Sequence, residues 1–193
     1  MANMINLTID GRQLSVPKKI TILEAARRND IYIPTLCDDP RLEPYGGCRL
    51  CLVKVKGSNK LATACTTPAT EGMEVETSND LIERQRRTIV ELLLSDHPND
   101  CMTCERAGDC TLQELAYFYD IRSNRFAGER RQYTTKDLNP FIARDMEKCI
   151  LCGKCVRVCE EIQGVNAIDI VGRGFSAKIA PAFGKDQIGR AHV

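Results

Sequence analysis

Three groups of cysteine residues in this chain have the residue types and the spacing of metal-binding sites. Thiolates are soft ligands that select zinc or iron–sulfur clusters, and an imidazole can replace one of them. The chain therefore offers metal sites at three successive places. The residues of the three groups are Cys37, Cys48, Cys51 and Cys65; His97, Cys101, Cys104 and Cys110; and Cys149, Cys152, Cys155 and Cys159.

The first group supplies the four thiols that a [2Fe–2S] cluster needs, two for each iron. Cys48 and Cys51 are neighbours on a loop, and we expect them to hold one side of the cluster while the two distant thiols hold the other. Gly46 and Gly47 let backbone N–H groups approach the sulfurs, because glycine has no Cβ. A structural zinc site and buried free cysteines are the alternatives. Zinc favours paired Cys-x2-Cys units, and only one occurs here, so the pattern favours the cluster.

The central group places three thiols and one imidazole between His97 and Cys110. A single histidine before a proline is usually a surface or capping residue, but three cysteines need a fourth ligand and His97 is the nearest candidate. In a [4Fe–4S] cluster, a neutral imidazole in place of a thiolate leaves one negative charge fewer, which should raise the reduction potential. Zinc bound by three cysteines and one histidine is also common in structural sites. Local spacing alone does not decide between the two.

The third group has the Cys-x2-Cys-x2-Cys-x3-Cys run of bacterial ferredoxins, whose last cysteine ligates the other cluster in two-cluster proteins. We therefore expect Cys149, Cys152 and Cys155 to hold three corners of a [4Fe–4S] cluster, and Cys159 to bind a different one. Glu160 takes the place of the proline that usually follows. A second run is absent from the sequence, so we expect an unstable or empty third site; if the central group holds a cluster, this leaves two complete clusters and about six irons per chain.

Composition and charge argue against several functions. A net charge of +1 gives no attraction to nucleic acid or to anionic membrane. The N-terminus lacks the pattern of a secretory signal, and no apolar run is long enough to cross a bilayer, so no direct membrane insertion is expected. Spaced cysteines without a secretory signal indicate a reducing cytoplasm and metal binding rather than disulfides. No nucleophile–base pair stands out, so we predict no catalytic site in this chain.

The elements that must position these groups are short strands and helices. A hairpin turn is predicted at residues 10–11. Thr21 with Glu24, and Thr111 with Glu114, have the form of capping boxes that begin helices. Further strands and helices follow from hydrophobic periodicity. The predicted helices cover 22–28, 80–94 and 111–118, and the predicted strands cover 5–9, 14–16, 52–55, 61–64, 73–76, 141–144 and 167–171.

These elements predict an α+β fold in small pieces, held together by metal ligation more than by core volume. The connector carries Arg122, Arg125, Arg130 and Arg131, interpreted as a solvated face, and the aromatic residues 117–119 are expected to cover hydrophobic surface. Residues 188–193 resemble the translation of a sequencing adapter, which predicts an artificially cut reading frame and an uninformative His192. The predicted segments are a [2Fe–2S] β-grasp domain (1–78), a small helical [4Fe–4S] segment with one His and three Cys ligands (79–120), a connector (121–138), the first half of a two-cluster bacterial-ferredoxin-like domain (139–187) and a non-native tail (188–193).

The three groups in this order resemble the N-terminal region shared by three oxidoreductase subunits. These are the largest peripheral iron–sulfur subunit of respiratory complex I (the 75 kDa or G type), the iron-only hydrogenases and the catalytic alpha subunit of NAD-linked formate dehydrogenases. The resemblance covers residues 4–186. Segments 139–145 and 164–169 look most like formate dehydrogenase, and 179–183 is also similar to hydrogenases.

The resemblance implies a plant-ferredoxin-like [2Fe–2S] domain on the first group of thiols and a [4Fe–4S] cluster with His97 among its ligands. It also implies an electron relay between a distant catalytic domain, beyond residue 193, and NAD(P)-binding flavin and iron–sulfur subunits. Formate dehydrogenase is the leading parent on this interpretation, and complex I and hydrogenase are the alternatives. The cytoplasm, or the cytoplasmic face of a membrane complex, is the implied location. A zinc-binding interaction module and a stand-alone ferredoxin remain as hypotheses of other classes.

Overall fold

The computed structural model describes residues 4–126, 128, 130–133 and 145–181. The chain divides into two compact units, Met1–Ile89 and Val90–Val193. The predicted strand over 141–144 and the predicted tail over 188–193 lie outside the described residues. Among the helices that the described residues form, none combines the length and the apolar character needed to cross a membrane.

A five-stranded mixed sheet forms the first unit, with strand order β2-β1-β5-β3-β4. The β1–β2 hairpin is antiparallel, and β5 lies parallel to β1 in the middle of the sheet. The turn between β1 and β2 is formed by Asp10 and Gly11, both at positive φ, as a tight hairpin requires. This sheet with its helix confirms the α+β prediction. The strands are β1 Met4–Ile9, β2 Arg12–Pro17, β3 Leu52–Val55, β4 Leu61–Thr63 and β5 Glu74–Glu76.

The first helix, α1 (Ile22–Arg27), belongs to the same hydrophobic core as the inward-facing residues of the sheet. The Oγ1 of Thr21 accepts a hydrogen bond from the Glu24 N–H at 3.1 Å, which confirms the predicted cap. The core includes Cys51 and Cys65. Two of the predicted ligands therefore lie in the wall of the core itself.

The second helix, α2 (Asp80–Asp96), extends two residues beyond its predicted end at residue 94. Asn79 caps its start, because its Oδ1 accepts the Ile82 N–H at 2.9 Å. The Ser95 hydroxyl donates to the Leu92 carbonyl at 2.7 Å and so bonds within the last turn instead of ending the helix.

In the second unit, helices α3 (Thr111–Phe118) and α4 (Lys154–Arg157) accompany a two-stranded antiparallel sheet of β6 (Ile168–Val171) and β7 (Lys178–Pro181). The predicted capping role of Thr111 is wrong, since Cys110 occupies the N-cap position of α3 and makes no side-chain capping bond. Strand β7 has no counterpart among the predicted elements. A 3-10 turn at Cys101–Thr103, a π turn at Val158–Ile162 and a 3-10 turn at Gly174–Ser176 complete the described elements.

The aromatic residues of α3 differ from their predicted role. Tyr117 and Phe118 are 74% and 73% exposed, so they do not cover hydrophobic surface within the chain. Tyr119 is buried and meets the Phe118 ring edge to face at a centroid distance of 5.0 Å. The prediction therefore holds for one of the three rings.

Candidate metal centres

The four thiols of the first group are arranged as two pairs. Cys51 and Cys65 are buried, with their sulfurs 3.3 Å apart. The side chains of Cys37 and Cys48 are hydrogen bonded to each other, and the Cys48 N–H also points at the Cys37 sulfur at 3.4 Å. The neighbours Cys48 and Cys51 thus lie in different pairs, contrary to the expectation that they hold one side together. The cause is the β3–β4 hairpin, in which the Ala64 N–H donates to the Cys51 carbonyl at 2.9 Å and so brings Cys65 beside Cys51.

Within each pair, the two thiols have opposite pKa shifts. The hydrogen bond from Cys37 lowers the pKa of Cys48 to about 5, and the same bond, together with burial, raises the pKa of Cys37. Likewise, the bond with Cys65 lowers the pKa of Cys51, while the pKa of Cys65 is raised. One sulfur of each pair is therefore ready as a thiolate and its partner holds a proton. Metal binding must release that proton, because the thiolate is the ligand.

Backbone N–H groups surround the sulfurs of this site. The Leu36 N–H points at the Cys48 sulfur at 3.5 Å, and the Gly47 backbone bonds to the Cys37 sulfur. A Cβ at Gly47 would lie 2.3 Å from the Tyr45 ring, so the loop closes only with glycine or with a displaced ring. Hydrogen bonds to cluster sulfurs and ligands are among the features that set the potential of an iron–sulfur centre.

Two pairs of thiols fit a [2Fe–2S] cluster, which takes two thiolates at each iron. All four sulfurs lie on loops and turns outside the strands, with Cys51 directly before β3 and Cys65 two residues after β4, so this strand pair positions half of the set. In the part of the chain that the structure describes, no three His, Cys, Asp or Glu side chains converge as the ligands of a single ion do.

Arg86, an arginine that the sequence analysis did not single out, donates hydrogen bonds to the backbone on both sides of Cys51. Arg86 on α2 is buried, at 4% exposure, and donates to the carbonyls of Leu50 and Leu52 at 3.0 and 2.8 Å. These two residues flank Cys51. Arg86 lies between the buried Ile82 and Val90 at helical spacing, so a cation within an apolar stripe was the signal that could have identified it.

The central group surrounds a cavity of about 240 Å³ whose lining includes His97, Cys101 and Cys110, whereas Cys104 is not part of the lining. The His97 Nδ1 lies 2.8 Å from the Pro98 carbonyl oxygen. Because a carbonyl only accepts, Nδ1 carries the proton and the neutral ring keeps a lone pair on Nε2. That tautomer, fixed by a backbone carbonyl, is the usual state of a histidine ligand, and the cavity beside it fits a bound group.

The third group occupies a loop followed by α4 and the π turn. Loss of solvent, and then the charges of Cys149 and Cys152, raise the pKa of Cys155, so these three thiols lie near one another. The sulfur of Cys159 instead accepts a hydrogen bond from the Ala167 N–H at 3.1 Å. Cys149 and Cys152 are therefore close enough to Cys155 for their charges to act on it, and the assignment of these three thiols to one cluster stays a prediction.

One connector arginine, Arg131, contradicts the interpretation of a solvated face, whereas the side chain of Arg125 is 62% exposed although it pairs with a buried acid. Arg131 is only 13% exposed in its side chain and bonds to Asp96. Arg125 donates its Nε to the carboxylate of Glu91 at 2.9 Å, and Glu91 is fully buried. A buried acid attracts a cation because an unpaired charge there is costly, and the sequence does not indicate which arginine reaches it.

Three family models match successive parts of the chain. A 2Fe-2S iron-sulfur cluster binding domain matches residues 2–80. The iron-sulfur binding region of NADH-ubiquinone oxidoreductase-G matches 86–125. The ferredoxin-like domain of NADH-quinone oxidoreductase subunit 3 matches 139–188. Each of the three cysteine groups falls inside one of these ranges, in the order that the sequence predicted.

Relatives give the same result. The NADP-reducing hydrogenase subunit HndD of Solidesulfovibrio fructosivorans is 44% identical over 187 residues, which cover 94% of this chain and 32% of that protein. The G 2 subunit of NADH-quinone oxidoreductase from Rhizobium meliloti (strain 1021) is 40% identical over 178 residues, covering 91% and 21%. The chain thus spans between about a fifth and a third of these relatives.

A solved structure matches over most of its own length. A chain of the NAD+-reducing [NiFe]-hydrogenase, crystallised in the H2-reduced state, superimposes with a TM-score of 0.84 at 35% identity, covering 92% of this chain and 75% of that one. The predicted resemblance to complex I and hydrogenase subunits is confirmed. This chain belongs to the family of electron-transfer iron–sulfur modules found in NADH-quinone oxidoreductase G-type subunits and NAD-reducing hydrogenase subunits.

Proposed function

We propose that this chain is the electron-relay portion of a larger NAD(P)-linked oxidoreductase. Iron–sulfur clusters, when bound, exchange single electrons at potentials that the surrounding ligands, burial and hydrogen bonds set. The observation that carries the proposal is the arrangement of four sulfurs as two pairs, half of them in the core of the first unit.

The proposed [2Fe–2S] ligands are the four thiols of the first group, with one pair at each iron. For the central [4Fe–4S] cluster we propose His97 through Nε2 together with the three thiols of its group. The lone pair that the Pro98 carbonyl leaves on Nε2 supports this assignment. For the third cluster we propose Cys149, Cys152 and Cys155, with the fourth position outside this set. We leave Cys159 out because the last cysteine of this run ligates the other cluster in two-cluster ferredoxins.

The parent enzyme is a separate proposal. Segments 139–145 and 164–169 favour an NAD-dependent formate dehydrogenase, as the sequence predicted. The relatives described above are subunits of a hydrogenase and of NADH-quinone oxidoreductases, which favours those two parents. The coding sequence downstream of residue 193 separates them, because it would encode a pterin-enzyme domain, a hydrogenase domain or neither.

The partners we propose are NAD(P)-binding flavin and iron–sulfur subunits of the same complex, and a catalytic domain beyond this chain. Electrons would pass between that domain and the nucleotide-linked subunit. A reducing cytoplasm, including the cytoplasmic face of a membrane complex, is the proposed location. None of the eleven cysteines, all of which are among the described residues, forms a disulfide in the structure, which supports it.

Anaerobic reconstitution of the chain with iron and sulfide tests the proposal. We expect about six irons with matching acid-labile sulfide, and two distinct paramagnetic signals after reduction. Cys51→Ser should remove only the [2Fe–2S] signal and Cys101→Ser only the [4Fe–4S] signal. Cys159→Ser is the matched control, because it removes a thiol assigned to neither complete cluster. A colourless protein with stoichiometric zinc and no sulfide would contradict the proposal and support the zinc-binding module.

A further inference from the structure

One arginine joins the central group to the third group within the second unit. The backbone N–H of Arg131 donates to the Asp96 carboxylate at 2.9 Å, and its Nε donates to the same carboxylate. Its two remaining nitrogens donate to the Cys149 carbonyl at 3.3 Å and the Ala177 carbonyl at 2.9 Å. Asp96 immediately precedes His97. The guanidinium therefore links the residue before one proposed ligand to the backbone of another.

A lysine makes a second bridge of the same kind. The Lys148 ammonium lies 3.7 Å from the Asp100 carboxylate and 3.6 Å from that of Asp145. Asp100 immediately precedes Cys101, and Lys148 immediately precedes Cys149. Asp96 and Asp100 thus bracket the loop that contains His97, and each is paired with a cation that is also tied to the Cys149 segment.

Burial makes the arginine bridge the stronger of the two. The side chains of Arg131 and Asp96 are 13% and 17% exposed, so solvent screens their attraction little. The Lys148 pair is longer and its Asp100 partner is 49% exposed, so it contributes less. A planar guanidinium can serve one carboxylate and two carbonyls at once, whereas an ammonium has no fixed fork.

We propose that Arg131, assisted by Lys148, is a positioning residue that fixes the His97 loop against Cys149 and so sets the relative placement of the two [4Fe–4S] sites. This inference rests on the proposed function, because it assigns those residues as cluster ligands. The rate of electron transfer between two centres falls steeply with their separation. A bridge that holds both ligand segments would therefore maintain the transfer step without touching either cluster.

Hydrogen exchange of the full chain tests the bridge itself, whether or not clusters are bound. We would compare the wild type with Arg131→Gln, Arg131→Lys and the control Arg130→Gln, which changes the exposed neighbouring arginine. In Arg131→Gln, backbone amides around Asp96, Cys149 and Ala177 should exchange about tenfold faster, since the guanidinium contacts to all three segments are lost and only the backbone N–H of residue 131 still donates to Asp96. Arg131→Lys should recover part of the protection near Asp96 only. Unchanged exchange, or a change confined to one of the three segments, would overturn the proposal.

A second measurement addresses the clusters. In reconstituted protein, Arg131→Gln should shift the reduction potential of the central signal, and the [2Fe–2S] signal of the first unit should keep its own. Arg130→Gln should move neither. If the wild type held no cluster but the three segments still lost protection together, the bridge would stand and the proposed function would fail. If clusters assembled but none of the three segments lost protection, the proposed function would stand and the bridge would fail.

Discussion

Replacing Arg86 with methionine should destabilise the first unit. Arg86 is buried and donates to the Leu50 and Leu52 carbonyls and, at 3.1 Å, to the Glu83 carboxylate. Methionine can occupy the path of the aliphatic stem but has no donor. Two buried carbonyls beside Cys51 would then lose their hydrogen bonds.

The expected loss follows from the contacts. Each buried carbonyl left without a donor costs about 1–3 kcal/mol, and the bonds to a charged donor are at the upper end of that range. The ion pair with the partly exposed Glu83 adds less than about 1 kcal/mol. We therefore expect a decrease of about 3–5 kcal/mol in the free energy of unfolding. At a urea slope of about 2 kcal/mol/M, the midpoint falls by about 1.5–2.5 M.

The assay is anaerobic urea denaturation, followed by far-UV circular dichroism and by the visible absorption of the reconstituted protein. Arg84→Met is the matched control, because Arg84 is exposed on the same helix two residues away. Arg86→Lys should fall between the two, since one ammonium cannot reach both carbonyls in the fork geometry. The [2Fe–2S] absorption should bleach at lower urea in Arg86→Met than in the control.

A midpoint for Arg86→Met within about 0.3 M of that for Arg84→Met would refute this reasoning. It would mean that water replaces the guanidinium at both carbonyls without cost. A loss of stability equal in Arg86→Lys and Arg86→Met would refute the part played by the fork, and would assign the effect to the loss of arginine packing.

Three further outcomes are expected. His97→Ala should abolish or alter the [4Fe–4S] paramagnetic signal and leave the [2Fe–2S] signal unchanged; an unaltered spectrum would remove the imidazole from the ligand set. Gly46→Ala and Gly57→Ala should each lower the free energy of unfolding by about 1 kcal/mol, because both glycines have positive φ. Only Gly46→Ala should also accelerate loss of the cluster, because Gly46 lies in the loop that carries the thiols and its added Cβ would meet Thr66. Arg125→Met should lower the midpoint of thermal unfolding of the second unit, because it removes a donor from the buried Glu91 carboxylate, and adding Glu91→Leu should recover part of this loss; an additive loss would argue against the pair.

The sequence by itself determined the features that depend on nearby residues. The hairpin at residues 10–11 and the Thr21 cap of α1 were predicted because turn and cap chemistry act within a few positions. The order of the three cysteine groups also follows from sequence, and the family models match in that order. The predicted cap at Thr111 is wrong by one residue: Cys110 occupies the N-cap position of α3, because either residue could begin this helix.

Tertiary structure decided which distant groups meet. The sulfur of Cys51 pairs with that of Cys65 because antiparallel register joins β3 to β4, although Cys48 is nearer along the chain. Arg86 reaches a carbonyl 36 residues away, and Arg131 reaches a carboxylate 35 residues away. The apolar stripe of α2 marks Arg86 as a buried cation but does not indicate its acceptors, and no periodic pattern distinguishes Arg131 from the other arginines of the connector. The donor is determined by tertiary packing, because a buried acceptor has no water to bond and is satisfied by the donor that packs against it.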